Sequence, residues 1–179
     1  VNNLKNIGLA CRVFATDNGD RYPWLVSTNE GGSAEYVPVA QTLNIFRHIA
    51  ALSNELTTPK IVICPSDSSR TEATTFSTAA TAPVGSVNFN KNDRLSYFIG
   101  LDSDETQPQS LLSGDRNITN NAAGSPLRAN ITTAYIGMLK TNHPAVATQP
   151  GAGWTKDVHQ SSGDVGMGVD YQFEAPKSK

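Results

Sequence analysis

The stretch "LDSDET" sets Asp102, Asp104 and Glu105 in one turn, and oxygen ligands at alternating positions are what a hard cation such as Ca2+ takes. It has neither the spacing nor the closing Glu of a twelve-residue EF-hand loop, and Asp-Ser-Asp turns also arise because these side chains cap their own backbone. Asp102, Asp104 and Glu105 are therefore the candidate Ca2+ ligands, with capping as the alternative, and no other cofactor is required. Asp17 and Asp20 in "DNGDR" read as helix termination rather than metal ligation. Asp67 in "CPSD" and Asp115 in "GDRN" read as turn caps at strand ends, with Arg116 as a partner.

Catalysis would need a nucleophile beside a base, a metal cluster or a phosphate-binding glycine loop. The chain carries no G-x-S-x-G, H-E-x-x-H or G-x-G-x-x-G, and His48, His143 and His159 fall in three separate contexts with no carboxylate at a telling offset. The expectation is a protein that is not an enzyme. His48 is expected as a surface or half-buried helix residue rather than a ligand, and Trp24 and Trp154 as core or loop anchors rather than sugar platforms. Cys11 and Cys64 are compatible with one disulfide in an oxidising compartment or with two buried thiols, and they make no zinc site with the scattered histidines.

The elements that carry these residues begin with a helix over 1–18. Leu4, Ile7, Gly8, Cys11, Phe14 and Ala15 recur at the spacing of one helical face, and the stripe stops at "DNGDRYP", where Gly19 suits a left-handed C-terminal cap and Pro23 forbids resumption. The pattern starts at Val1 without a capping residue, which predicts a longer helix that has lost its beginning. Leu9 and Val13 form a second apolar line, either the edge of a wide core stripe or a contact with another copy of the protein.

A loop over 24–40 is followed by a second helix over 41–57, in which Leu43, Phe46, Ile49, Ala50 and Leu56 share a face. "KIVICPSD" reads as the clearest strand, 68–94 as a long surface loop, and "LSYFIGLD", "SLLSGDRNIT" and "ITTAYIGML" as further strands. A turn from Trp154 to His159 and a last strand from Val165 to Phe173 complete the order. The fold class is α+β: a long N-terminal helix packed on an antiparallel β-sheet, loop-rich, with a second short helix. All of 1–179 forms one domain, with the sheet and long loops in 60–173.

Bulk composition agrees. The 179 residues are 38% hydrophobic and 17% charged with formal net charge −2, describing a soluble, loop-rich globular domain. No run of Lys or Arg exceeds one residue, which excludes the electrostatic footprint of a nucleic-acid binder. Apolar runs such as "IVIC" and "VGMGV" fall far below the roughly 20 residues that span a bilayer.

With these features in order, "NNLKNIGLACRVFATDNGDRYPW" resembles the segment just after the membrane-spanning half of the N-terminal helix in type IV pilin-like proteins. The likeness is to pseudopilins similar to the major subunit of type II secretion, above all the planctomycete and verrucomicrobial group with a prepilin-type cleavage and methylation leader. "TPKIVICPSD" (58–67), "LSYFIGLDSDETQPQSLLSGDRNIT" (95–119) and "WTKDVHQSSGDVGMGVDYQ" (154–172) resemble later blocks of that group, although "GVDYQF" replaces its usual Asp-Gly-Ser-Val.

The resemblance implies a helix laid across an antiparallel sheet, and a structural subunit that assembles through that helix into a filament with copies of itself and other pilin-like subunits. It implies an inner-membrane anchor supplied by the missing helix half, at the periplasmic or extracellular face. Leu9 and Val13 then become the positions for subunit contact, and an oxidising compartment favours a Cys11–Cys64 bridge. Related pseudopilins hold Ca2+ in a loop near the end of the sheet, which draws interest to Asp102, Asp104 and Glu105. The alternative is an extracellular binding module or minor pilin that recognises a glycan or an exported protein through the loops 24–40, 68–94 and 102–126.

Overall fold

Helix α1 (Asn2–Asp17) buries Leu4, Ile7, Ala10, Cys11, Phe14 and Ala15, the 3,4-spaced face that its sequence marks as apolar. Its end is fixed by left-handed geometry, Gly19 at φ 66° and Asp20 at φ 59°, residue types that take it at low cost, so the Asp20 N–H reaches back to the Ala15 carbonyl at 2.8 Å. The computed structural model describes residues 2–37, 44–101, 103, 111–116, 118–119, 153–154, 164–167 and 172–174.

Against α1 lie strands β2 and β5 of an antiparallel sheet ordered β1-β2-β5-β6. Here β1 is Tyr97–Ile99, β2 Leu111–Asp115, β5 Asp164–Met167 and β6 Gln172–Glu174, while β3 (Ile118–Thr119) and β4 (Gly153–Trp154) form a separate antiparallel pair. In register, Tyr97 faces Asp115 and Ile99 faces Ser113, and Ser113 Oγ donates back to the Phe98 carbonyl at 2.7 Å. Gly8 faces the sheet with room to spare: Leu112 Cδ2 lies 3.8 Å from where a Cβ would stand, an ordinary contact distance. Near its start, Asn3 Nδ2 donates to the Ile63 carbonyl at 2.9 Å and to Tyr97 Oη at 3.2 Å, tying helix, loop and β1 together. The architecture is thus α+β, with a long N-terminal helix and antiparallel sheet.

Four expectations need correction. The second helix is two short pieces, α2 (Ile45–Ala50) and α3 (Ser53–Leu56), broken at Ala51 and Leu52; its expected first turn over 41–43 lies outside the described residues. The break keeps Phe46, Ile49, Leu52 and Leu56 all buried, and Thr57 at φ 60° ends the second piece. "KIVICPSD" is not a strand: Pro59–Val62 make a 3₁₀ turn started by Pro59 and by Thr58, whose Oγ1 accepts from the Lys60 N–H. Its apolar residues serve burial, because Val62 and Cys64 are inside, while among the described residues the segment joins no strand ladder and takes only a single backbone bond from outside itself, from the Ser96 N–H to the Val62 carbonyl at 3.0 Å. The last strand is two, β5 and β6, paired to each other with Val165 opposite Phe173, and "SLLSGDRNIT" likewise divides into β2 and β3, which belong to different sheets. "ITTAYIGML" lies outside the described residues.

Candidate functional site

Leu9 and Val13 stand on the side of α1 away from the sheet and are 60% and 45% exposed, which removes the core-stripe alternative for them. Spaced four apart on one helix, they form a short apolar ridge facing solvent. Among the described residues no helix is long and apolar enough to cross a membrane.

Cys11 and Cys64 are both buried and both thiols; the expected bridge is not formed. Burial pushes the Cys64 thiol up, against hydrogen bonds from the Ser66 backbone and Tyr97. Burial likewise holds the Tyr97 hydroxyl well above the usual phenol range. Asp102, Asp104 and Glu105 lie outside the described residues, as do His143, His159 and the expected turn beyond Trp154. Among the described residues no group of three or more His, Cys, Asp or Glu is arranged to hold a metal ion.

His48 corrects its expectation of a surface or half-buried position. It is fully buried, with Nδ1 2.7 Å from Ser33 Oγ, and burial lowers its pKa to about 4. The sequence hides this because Ser33 belongs to the loop over 24–37, whose fold is not periodic. That loop closes on itself through Glu35, which accepts from Ser27 Oγ at 2.6 Å and the Thr28 N–H at 2.8 Å. Gly32 is required there, since a Cβ would stand 2.1 Å from the Val26 carbonyl oxygen. The hydrogen bonds from Ser27 and from the Thr28 backbone lower the Glu35 pKa to about 2. Trp24 is 2% exposed and tilted against Tyr22, an anchor as expected.

Asp67 and Arg116 meet as expected, and the pair goes beyond a turn cap. Forty-nine positions apart, they form a bidentate ion pair, Nε to Oδ2 at 2.5 Å and Nη2 to Oδ1 at 2.7 Å, with Ser69 Oγ donating to Oδ1 at 2.8 Å. Burial alone would raise the Asp67 pKa, but the hydrogen bonds from Arg116 and Ser69 and the Arg116 charge outweigh it and hold it below the usual carboxylate value. Arg70 lies alongside, its Nε 3.7 Å from Asp67 Oδ2 and its side chain 4% exposed.

From this buried cluster Arg70 extends to the wall of an open cleft of about 740 Å3 between α2 and the segment 68–94, lined also by Phe46, Arg47, Asn90, Lys91 and Asn92. Each residue is placed by a local contact. Asn92 Oδ1 accepts from the Phe46 N–H at 3.0 Å, Asn90 Nδ2 donates to the Ala79 carbonyl at 2.9 Å, and the Arg47 guanidinium stacks 4.6 Å over the Tyr36 ring. No sequence motif assembles these residues, because they come from two segments joined by tertiary packing. The nearest signal was the polar, aperiodic composition of 68–94. The chain matches no family model, and no curated protein or solved structure shows significant similarity to it.

Proposed function

We propose that the chain is the globular part of a pseudopilin-like subunit, a structural protein of a type IV pilus-like or type II secretion pseudopilus filament. It assembles along α1 with copies of itself and other pilin-like subunits, anchored at the periplasmic face of the inner membrane. The observation that carries the reading is the exposed Leu9–Val13 ridge on a helix whose opposite face is buried against the sheet, α3 and the turn Pro59–Val62. An exposed apolar pair at helical spacing gains by being covered, at about 25 cal/mol per Å2 removed from water. The likeness of residues 2–24 and 58–67 to pseudopilin segments supports the same role. Asp102, Asp104 and Glu105 remain its proposed Ca2+ ligands.

The test is a Leu9→Glu, Val13→Glu double variant expressed in the source cells. Both positions are exposed, so thermal unfolding should be unchanged while chemically cross-linked multimers disappear. Multimers that persist in the double variant would remove the ridge from assembly. A second reading, a binding module acting through its loops, is favoured by the cleft between α2 and 68–94. Its test is ligand capture by the folded domain when Leu9 and Val13 are both charged.

A further inference from the structure

The cleft gathers three cations, Arg47, Arg70 and Lys91, against one carboxylate, Asp93, in a chain whose net charge is −2. That carboxylate is shared, since Asp93 Oδ1 lies 3.5 Å from Arg94 Nε. Arg47 is held by neutral partners: the Tyr36 ring, Tyr36 Oη at 3.3 Å and Asn44 Oδ1 at 3.3 Å. Lys91 is exposed and, among the described residues, has no carboxylate within ion-pair reach. Arg70 is answered only in part, because Arg116 already occupies both oxygens of Asp67, and Arg70 Nε and Nη2 are buried without a hydrogen-bond partner. A buried guanidinium short of acceptors is costly, and its field reaches into the cleft little screened by water.

Size and hydrogen bonding narrow the ligand. A cleft of about 740 Å3, open to solvent, seats one or two sugar rings of a longer chain rather than a lone ion. Asn90 and Asn92 each use one end of the amide on the fold, Nδ2 and Oδ1 respectively, which leaves Asn90 Oδ1 and Asn92 Nδ2 for hydroxyl groups. Phe46 is 5% exposed, with Arg47 lying 5.3 Å over its ring, so no open aromatic face is left for a nucleobase. We propose that this cleft binds an acidic carbohydrate. Its carboxylate or sulfate sits between Arg47 and Lys91 against the Arg70 wall, and its hydroxyls bond to Asn90 and Asn92. The inference rests on the binding reading above and is independent of assembly along α1.

The experiment is calorimetric titration of the folded chain at low salt with four probes: trigalacturonate, a sulfated chondroitin tetrasaccharide, neutral cellotetraose and a hexaglutamate peptide. The expected result is saturable binding of one or both acidic sugars, with the two arms separating carboxylate from sulfate. Binding should weaken with salt and fall about tenfold or more in Lys91→Glu and in Arg47→Gln, the loss of one charge-assisted contact. Lys5→Glu, the same charge reversal on exposed α1, should leave it unchanged. Lys91 is a surface residue, so its variant keeps the fold and the outcome is readable. Equal binding of cellotetraose or hexaglutamate overturns the acidic-sugar claim and leaves a binding module standing. No binding of either acidic sugar, or a Lys91→Glu effect no larger than that of Lys5→Glu, overturns it as well.

Discussion

His48 couples stability to pH in a way that can be read directly. Its ring stays neutral in the folded protein down to about pH 4, whereas in the unfolded chain it takes a proton near its ordinary value of 6.5. Between those values the unfolded state binds more protons, so stability rises with pH across the window and falls as pH drops from 6.5 towards 4. The full difference is about 3 kcal/mol for a shift of this size. Urea unfolding at pH 7.0 and pH 4.5 should show that slope in the native chain and a shallower one in His48→Gln; equal slopes would contradict the assignment. The Asp67–Arg116 pair makes a separate demand. Asp67→Asn removes one partner of a buried ion pair and leaves two arginines facing a neutral amide, so a loss of about 3–5 kcal/mol is expected in urea unfolding at pH 7. An effect below about 1 kcal/mol, the range of exposed pairs, would mean that the pair is solvated. The aspartate, its turn and its partner Arg116 were legible in the sequence. The neighbouring guanidinium of Arg70 was not, because nothing in "SDSSR" distinguishes a buried arginine from a solvated one.

Among the elements, α1 offers two glycines that the same substitution should drive in opposite directions. Gly8 lies mid-helix, and an added Cβ would meet only Leu112 Cδ2 at an ordinary 3.8 Å. Gly8→Ala should therefore stabilise by about 0.5–1 kcal/mol through helix propensity alone. Gly19 has open space around it but sits at φ 66°, so Gly19→Ala should destabilise by about 1 kcal/mol through backbone strain. Thermal unfolding of the two variants would show melting points moving apart, and a common direction would contradict the cap geometry. The helix, its stop at Gly19 and strands β1 and β2 were readable because their periodicity and turn residues agree with their tertiary role. "KIVIC" misled because branched apolar residues report burial, which a 3₁₀ turn beneath α1 satisfies as well as a sheet does. The second helix was legible as an apolar stripe, but the stripe survives the break at Ala51 and Leu52, so periodicity alone could not reveal it.

For the whole molecule, one face of α1 secures the fold while the other presents Leu9 and Val13 to solvent, and the proposed role in a filament depends on that second face being covered by a neighbouring subunit. The cationic cleft is lined by α2 and 68–94 and not by α1, so its ligand and the proposed filament contact use different residues. No composition or motif in the sequence predicted that cleft, since its charge arises from where three cations fold rather than from a basic run. The most direct measurement is bismaleimide cross-linking in the source cells of the natural full-length protein carrying Leu9→Cys. Cys11 and Cys64 are buried, so reaction should be confined to the new thiol. The account predicts cross-linked dimers of this protein, or of it with a pilin-like partner, in the inner-membrane fraction, absent from the unsubstituted control. A protein that stays monomeric after cross-linking, or one found only outside that fraction, would contradict it.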